Sequence, residues 1–228
     1  MTPDRALAAL RALADPERAR QMAAYHKTER PFLGAGVPAI EALVRDWRAV
    51  CTLDERVALA AGLWDSDVHE ARIAAAKLLT QARIRPDDSA VWALIAGWAE
   101  GFDNWALGDH AAAAGSRRLI ADPSRLDRLE HWTRHANLWT RRAALVMTLP
   151  WARLPHPKPA DLALRERVLG WAVGYADERE WFIQKAVAWW LRDLSRHDPP
   201  RVRAWLSDHG AQLKPFARRE AARHLPDG

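Results

Sequence analysis

The sequence predicts an all-α chain of stacked antiparallel helix pairs, and three observations carry that prediction. Strong helix formers run nearly end to end, helix breakers recur at regular intervals, and one short pattern repeats along the chain. The composition comes first. Ala, Leu, Arg and Glu fill the segments between breakers, and neither period-two alternation nor an Asn-Gly turn marks a hairpin. The breakers fall at Pro31 to Pro38, Pro86-Asp87-Asp88, Asp122-Pro123, Pro150 to Pro159 and Pro199-Pro200. Asp15-Pro16-Glu17 and Asp122-Pro123-Ser124 read as helix starts, an acidic cap followed by proline at the first helical position.

The repeat decides the architecture. Residues 65–79 and 135–149 share a polar turn, then Arg-x-Ala, then an apolar run, with Arg72-x-Ala74 and Arg142-x-Ala144 in register. Residues 177–191 match again with Gln184 in the arginine slot, and 215–225 match more loosely around Arg219-Glu-Ala221. The slots lie 70, 42 and 35 residues apart, so the first gap has room for one more unit. Asp109-His110-Ala111 falls near its middle, where Arg-x-Ala is expected. Repeats of this length predict a HEAT-like α-solenoid (an ARM-type superhelix), C-shaped, over a single domain 1–228. Aligned slots predict a basic concave surface with Arg72, Arg142 and Arg219 in a row and Lys185 nearby. The alternative is that each arginine is solvated or ties down an adjacent turn.

Bulk properties narrow the function. The 228 residues are 49% hydrophobic and 28% charged, as in an ordinary folded domain. No apolar run approaches 18 residues and residues 1–5 open no apolar segment, so neither a membrane span nor a secretory signal is expected, and the expected compartment is the cytoplasm. In a prokaryote that means association with the nucleoid. Cys51 alone rules out an internal disulfide and a cysteine zinc site. His131 and His135 have metal-ligand spacing but no accompanying carboxylate, and no P-loop, GxGxxG or GxSxG motif occurs; no metal and no cofactor are expected. The net charge of +5 suits an anionic partner. The chain has 13 Trp against 2 Tyr and 4 Phe, more indole than one core needs, so some tryptophans are expected to face a ligand. Trp47, Trp64, Trp92, Trp98, Trp171 and Trp205 read as packing between helices.

One constellation carries chemistry. Asp109 replaces a slot arginine between apolar Leu107 and Ala111–Ala114, and Trp105 precedes it by four residues, on the same helix face. Trp189 and Trp190 are adjacent and point about 100° apart, so one is core and one can face a cleft. Asp103 reads as the cap of the helix carrying Trp105.

Four stretches resemble the AlkD-like DNA alkylation repair family. Tyr25-His-Lys-Thr-Glu-Arg-Pro-Phe-Leu-Gly34 with Val37-Pro38 is similar to its N-terminal signature. Asp103-Asn-Trp105-Ala-Leu-Gly-Asp109 is similar to its active-site segment, Asn137-Leu-Trp-Thr-Arg-Arg142 to the segment with a DNA-contacting arginine, and Trp181 to Arg192 to that with a second site aromatic. The resemblance implies a HEAT-repeat DNA glycosylase that removes cationic alkylated purines, 3-methyladenine and 7-methylguanine, from double-stranded DNA as a monomer in base excision repair. It implies Asp109, Trp105 and Trp189 as the catalytic set, with Arg142 and Tyr25 on DNA. Relatives often carry an acid where this chain has Ala106 and a β-branched residue where it has Gly108. Those departures keep open a second reading, a DNA-structure binder without catalysis. A protein-interaction solenoid is the third.

Overall fold

The computed structural model describes residues 1–225. The described residues are helical throughout, without a strand, and the chain divides into two compact units, Met1–Ala121 and a second that begins at Asp122.

The first unit holds α1 (Pro3–Arg11), α2 (Pro16–His26), α3 (Val37–Val50), α4 (Leu53–Asp65), α5 (His69–Leu79), α6 (Ser89–Gly97) and α7 (Trp105–Ala121). Helix starts follow local chemistry. Asp15 accepts the Arg18 amide at 3.0 Å with Pro16 at the first helical position, the start the sequence predicts. Thr52 and Glu55 close a capping box at the head of α4, since each side chain accepts the other's amide. Helix α5 packs on α3, α4 and α7, and is buried along almost its whole length. The small and apolar residues of this helix (Ala71, Ile73, Ala74 to Ala76, Leu78, Leu79) let three neighbours approach it closely.

The second unit holds α8 (Leu126–Trp132), α9 (Leu138–Met147), α10 (Leu149–Ala152), α11 (Pro159–Gly174), α12 (Trp181–Ser195), α13 (Pro199–His209) and α14 (Pro215–Ala221). Asp122-Pro123-Ser124 opens a single 3-10 turn, and α8 follows it. Pro150 sits inside α10, within its first turn where no amide is needed, so the segment read as a breaker carries a helical turn. Likewise Pro199-Pro200 start α13, with Asp198 accepting the Arg201 amide at 3.2 Å. Helix α12 is the centre of this unit, packed on α9, α10, α13 and α14. Trp190 is fully buried there and donates its indole N–H to Thr148 Oγ1 at 3.1 Å.

The repeated slot has a structural job. Arg72 is 9% exposed; its Nε donates to the Trp64 carbonyl and its Nη1 to the Gly101 carbonyl, both at 3.0 Å, with its guanidinium over the Trp64 ring. Arg142 is buried and donates from Nη1 to the Phe182 carbonyl at 2.9 Å. Gln184, fully buried, donates to the carbonyls of Tyr175, Ala176 and Glu178 and accepts the Lys214 amide at 2.9 Å. Each slot side chain thus fastens its own helix to the turn of the next repeat. The expected solvent-facing row is corrected accordingly: Arg72 and Arg142 are buried clasps, because the carbonyls at helix ends need donors. Arg219, in the remaining slot, is exposed.

Candidate functional site

Trp105 and Asp109 lie one turn apart at the head of α7, both half-buried. Asn104 starts this helix: its Oδ1 accepts the amides of Ala106 (2.9 Å) and Leu107 (3.1 Å). Asp103, expected to be the cap, holds a different position. Its Oδ1 accepts from Asn104 Nδ2 at 2.8 Å, and its Oδ2 accepts from Thr28 Oγ1 at 2.7 Å and Arg30 Nε at 2.9 Å. One carboxylate therefore ties the loop after α2 to the head of α7, which fixes Tyr25 against Trp105. Tyr25 is 69% exposed, and its ring meets Trp105 edge-on with centroids 6.3 Å apart. A second carboxylate secures the same loop: Glu70, fully buried, accepts the amides of Leu33 (2.9 Å) and Gly34 (2.7 Å). Gly34 has φ +82°, and a Cβ there would stand 2.2 Å from the Asp15 carbonyl oxygen. Ala106 and Gly108 are both buried and flank the face that Trp105 and Asp109 share, Ala106 three residues before Asp109 and Gly108 three after Trp105.

Imidazoles line the ground beneath Trp105. The His26 ring is 5.6 Å from Trp105 and 5.0 Å from His69, which itself packs 4.4 Å from Phe32. Burial pushes His69 down to about 3, helped by His26, Arg30, His110 and Arg72. Burial also lowers His26, against the pull of Asp103, and brings His110 to about 4. These rings are neutral at neutral pH. Their folded pKa values lie below the unfolded one, so the unfolded chain binds more protons between about pH 6.5 and the folded values, and stability falls as pH drops through that window. At pH 5, His69 and His110 together are expected to cost the first unit roughly 2 to 4 kcal/mol. Thermal melts at pH 7.5 and 5.0 measure this, and His69→Phe should flatten the dependence; an unchanged melt between the two pH values would contradict it.

The second unit brings together Trp189, Lys185 and Arg219. They line one open cavity of about 640 Å³ with Trp181, Phe216 and Arg192. Trp181, Lys185, Trp189 and Arg192 follow one another at helical spacing down one face of α12, and α14 supplies Phe216 and Arg219. The Lys185 ammonium lies 4.7 Å above the Trp181 ring, and Trp181 and Phe216 are 5.7 Å apart. Trp189 is half-buried; its N–H donates to Asp193 Oδ2 at 3.1 Å, which fixes the indole plane. Glu220 pairs with Arg192. The cavity is apolar on its walls and cationic on its rim. Trp181, Phe216 and Arg192 were not singled out from the sequence, although the i, i+4, i+8, i+11 spacing from Trp181 is a readable signal. Asn104 and Glu70 gave no such signal, since each acts on backbone amides of another segment or turn.

Among the described residues no group of three or more His, Cys, Asp or Glu side chains is placed to hold a metal ion, and no helix is long and apolar enough to cross a membrane.

Stacked helix pairs, with a recurrent slot from which Arg72, Arg142 and Gln184 fasten helix to neighbouring backbone, define a HEAT-like helical-repeat protein. A sequence profile of the family described as DNA alkylation repair enzyme matches residues 6–225, and the chain belongs to that family. The fold is similar to a predicted DNA alkylation repair enzyme from Enterococcus faecalis (TM-score 0.76, 23% identity, 94% of this chain and 98% of that one). It is also similar to AlkD2 from Streptococcus mutans (TM-score 0.63, 19% identity, 84% and 91% covered) and to smu.31 from Streptococcus mutans UA159 (TM-score 0.62, 18% identity, 83% and 92% covered). No curated protein matches the chain by sequence.

Proposed function

We propose that this protein is a monofunctional DNA glycosylase that hydrolyses the N-glycosidic bond of cationic alkylated purines, such as 3-methyladenine and 7-methylguanine, in duplex DNA. The observation that carries the reading is the acid in the α7 slot. Arg72, Arg142 and Gln184 donate to carbonyls from this slot. A carboxylate only accepts, so Asp109 cannot make that clasp. It stands instead one turn from a half-buried indole.

The chemistry follows from charge. An N3- or N7-alkylated purine is already cationic and departs without a general acid. Loss of the base builds positive charge on the sugar, as in glycoside hydrolysis. A carboxylate at that carbon stabilises the developing cation and orients the attacking water. An indole face attracts a cationic base by about 0.5 to 2 kcal/mol. The neutral His26 beside Trp105 leaves that face without a competing cation. Within the second unit, Lys185 and Arg219 beside the Trp189 indole offer cationic groups to the phosphates of the duplex. Arg72 and Arg142 act through the framework they clasp.

The test is incubation with N-methylpurine DNA and chromatography of the freed bases. Release of methylpurines supports the proposal. A protein that binds duplex DNA with salt-dependent affinity but frees no base is a DNA-structure binder.

A further inference from the structure

At the far end of α7 a second groove, of about 380 Å³, lies between that helix and the loop after α5. Arg83 and Arg85 line it from the loop, Arg117 from the helix, and all three are exposed. Among the described residues none of these three forms an ion pair with an acid. The groove between α3, α5 and α7 differs: its Lys77 pairs with Glu41 at 2.6 Å, and its Arg48 donates to the Thr80 carbonyl.

The loop that presents Arg83 and Arg85 is held from beneath. Arg118 is fully buried and donates to the carbonyls of Gln81 and Ala82 and, at 2.6 Å, to Asp88 Oδ2. Gln81 donates to the Arg83 carbonyl at 2.6 Å and accepts from Arg56 at 2.5 Å. Both acids of the loop are occupied, Asp88 by Arg118 and Asp87 by Ser89. An irregular segment fixed in this way presents its arginines with little left to lose in ordering on binding. Ile120, 51% exposed, adds an apolar wall.

We propose that this groove is a separate seat for the phosphodiester backbone of duplex DNA. Arg117 follows Asp109 by eight residues, about 12 Å along the helix axis, which corresponds to roughly three or four base-pair steps. Three unpaired guanidinium groups around an apolar wall fit a sugar–phosphate chain, with charge on the phosphates and a carbon surface on the sugars. The groove grips DNA without reading its sequence. The assignment rests on the reading of the chain as a duplex-binding repair protein, and its test does not depend on base release.

The experiment is a fluorescence anisotropy titration of unmethylated duplex DNA at several salt concentrations, with the wild type, the triple variant R83A/R85A/R117A and the triple variant R83K/R85K/R117K. Each phosphate contact contributes about 0.9 to the slope of log K against log salt. The alanine variant should lower the slope by about 2 to 3, and the lysine variant should keep most of it. A slope unchanged in an alanine variant of native circular dichroism overturns the proposal, as does an equal loss in both variants. A titration with a polyglutamate peptide runs alongside: binding to that peptide lost in the alanine variant, with the DNA slope intact, would assign the groove to an acidic protein instead. A wild type that frees methylpurines while the alanine variant keeps its slope disproves this seat alone. A wild type that frees no base, with the slope lowered as expected, disproves the glycosylase reading alone.

Discussion

Asp109→Asn is expected to keep the fold and duplex binding and to lose base release by about 10²- to 10⁴-fold. The substitution keeps shape and volume at a half-buried position and removes one negative charge. A neutral amide neither stabilises a cationic sugar nor takes a proton from water. The loss therefore belongs to the chemical step, and single-turnover release of 7-methylguanine at saturating enzyme reads it directly. Binding at that saturation should match the wild type or tighten slightly, because the substitution removes one negative charge that would repel phosphate. Release at the wild-type rate would end the assignment of Asp109, and with it the argument from the acidic slot.

Glu70→Ala is expected to have the largest effect on stability, about 3 to 5 kcal/mol. The carboxylate is fully buried and accepts two backbone amides, those of Leu33 and Gly34, at 2.9 and 2.7 Å. Hydrogen bonds to a charged group are worth about 1.5 to 3 kcal/mol each, and deletion leaves two buried donors without partners. In a chain of this size that lowers the melting temperature by roughly 10 °C. The loop concerned runs on to Tyr25 and to the Thr28 and Arg30 contacts with Asp103. Activity should fall even below the new melting point, as Tyr25 and the head of α7 lose their common anchor. A melting temperature within 2 °C of the wild type would show that the loop is held by other means.

Local patterns carried much of this protein. Helix-forming composition, prolines at first-turn positions and the recurrent Arg-x-Ala slot announced stacked helix pairs, and the i, i+4 relation of Trp105 and Asp109 is a matter of helical geometry alone. The adjacency of Trp189 and Trp190 required one of them to be core, and Trp190 is. Those signals depend on residues close in the chain, so one sequence suffices to read them.

Tertiary structure decided the destination of each slot side chain. Spacing puts Arg72 and Arg142 at equivalent places, yet whether a guanidinium meets solvent or a carbonyl depends on the turn of the next repeat, 29 residues on for Arg72 and 40 for Arg142. The same holds for Asp103, whose partners Thr28 and Arg30 are more than 70 residues away. Glu70 and Arg118 look like surface charges in the sequence and are buried because irregular loops needed an acceptor and a donor beneath them. Periodicity names the face of a helix. The unmet hydrogen bonds of distant backbone select which charged side chains leave that face for the interior, and only the folded chain brings the two together.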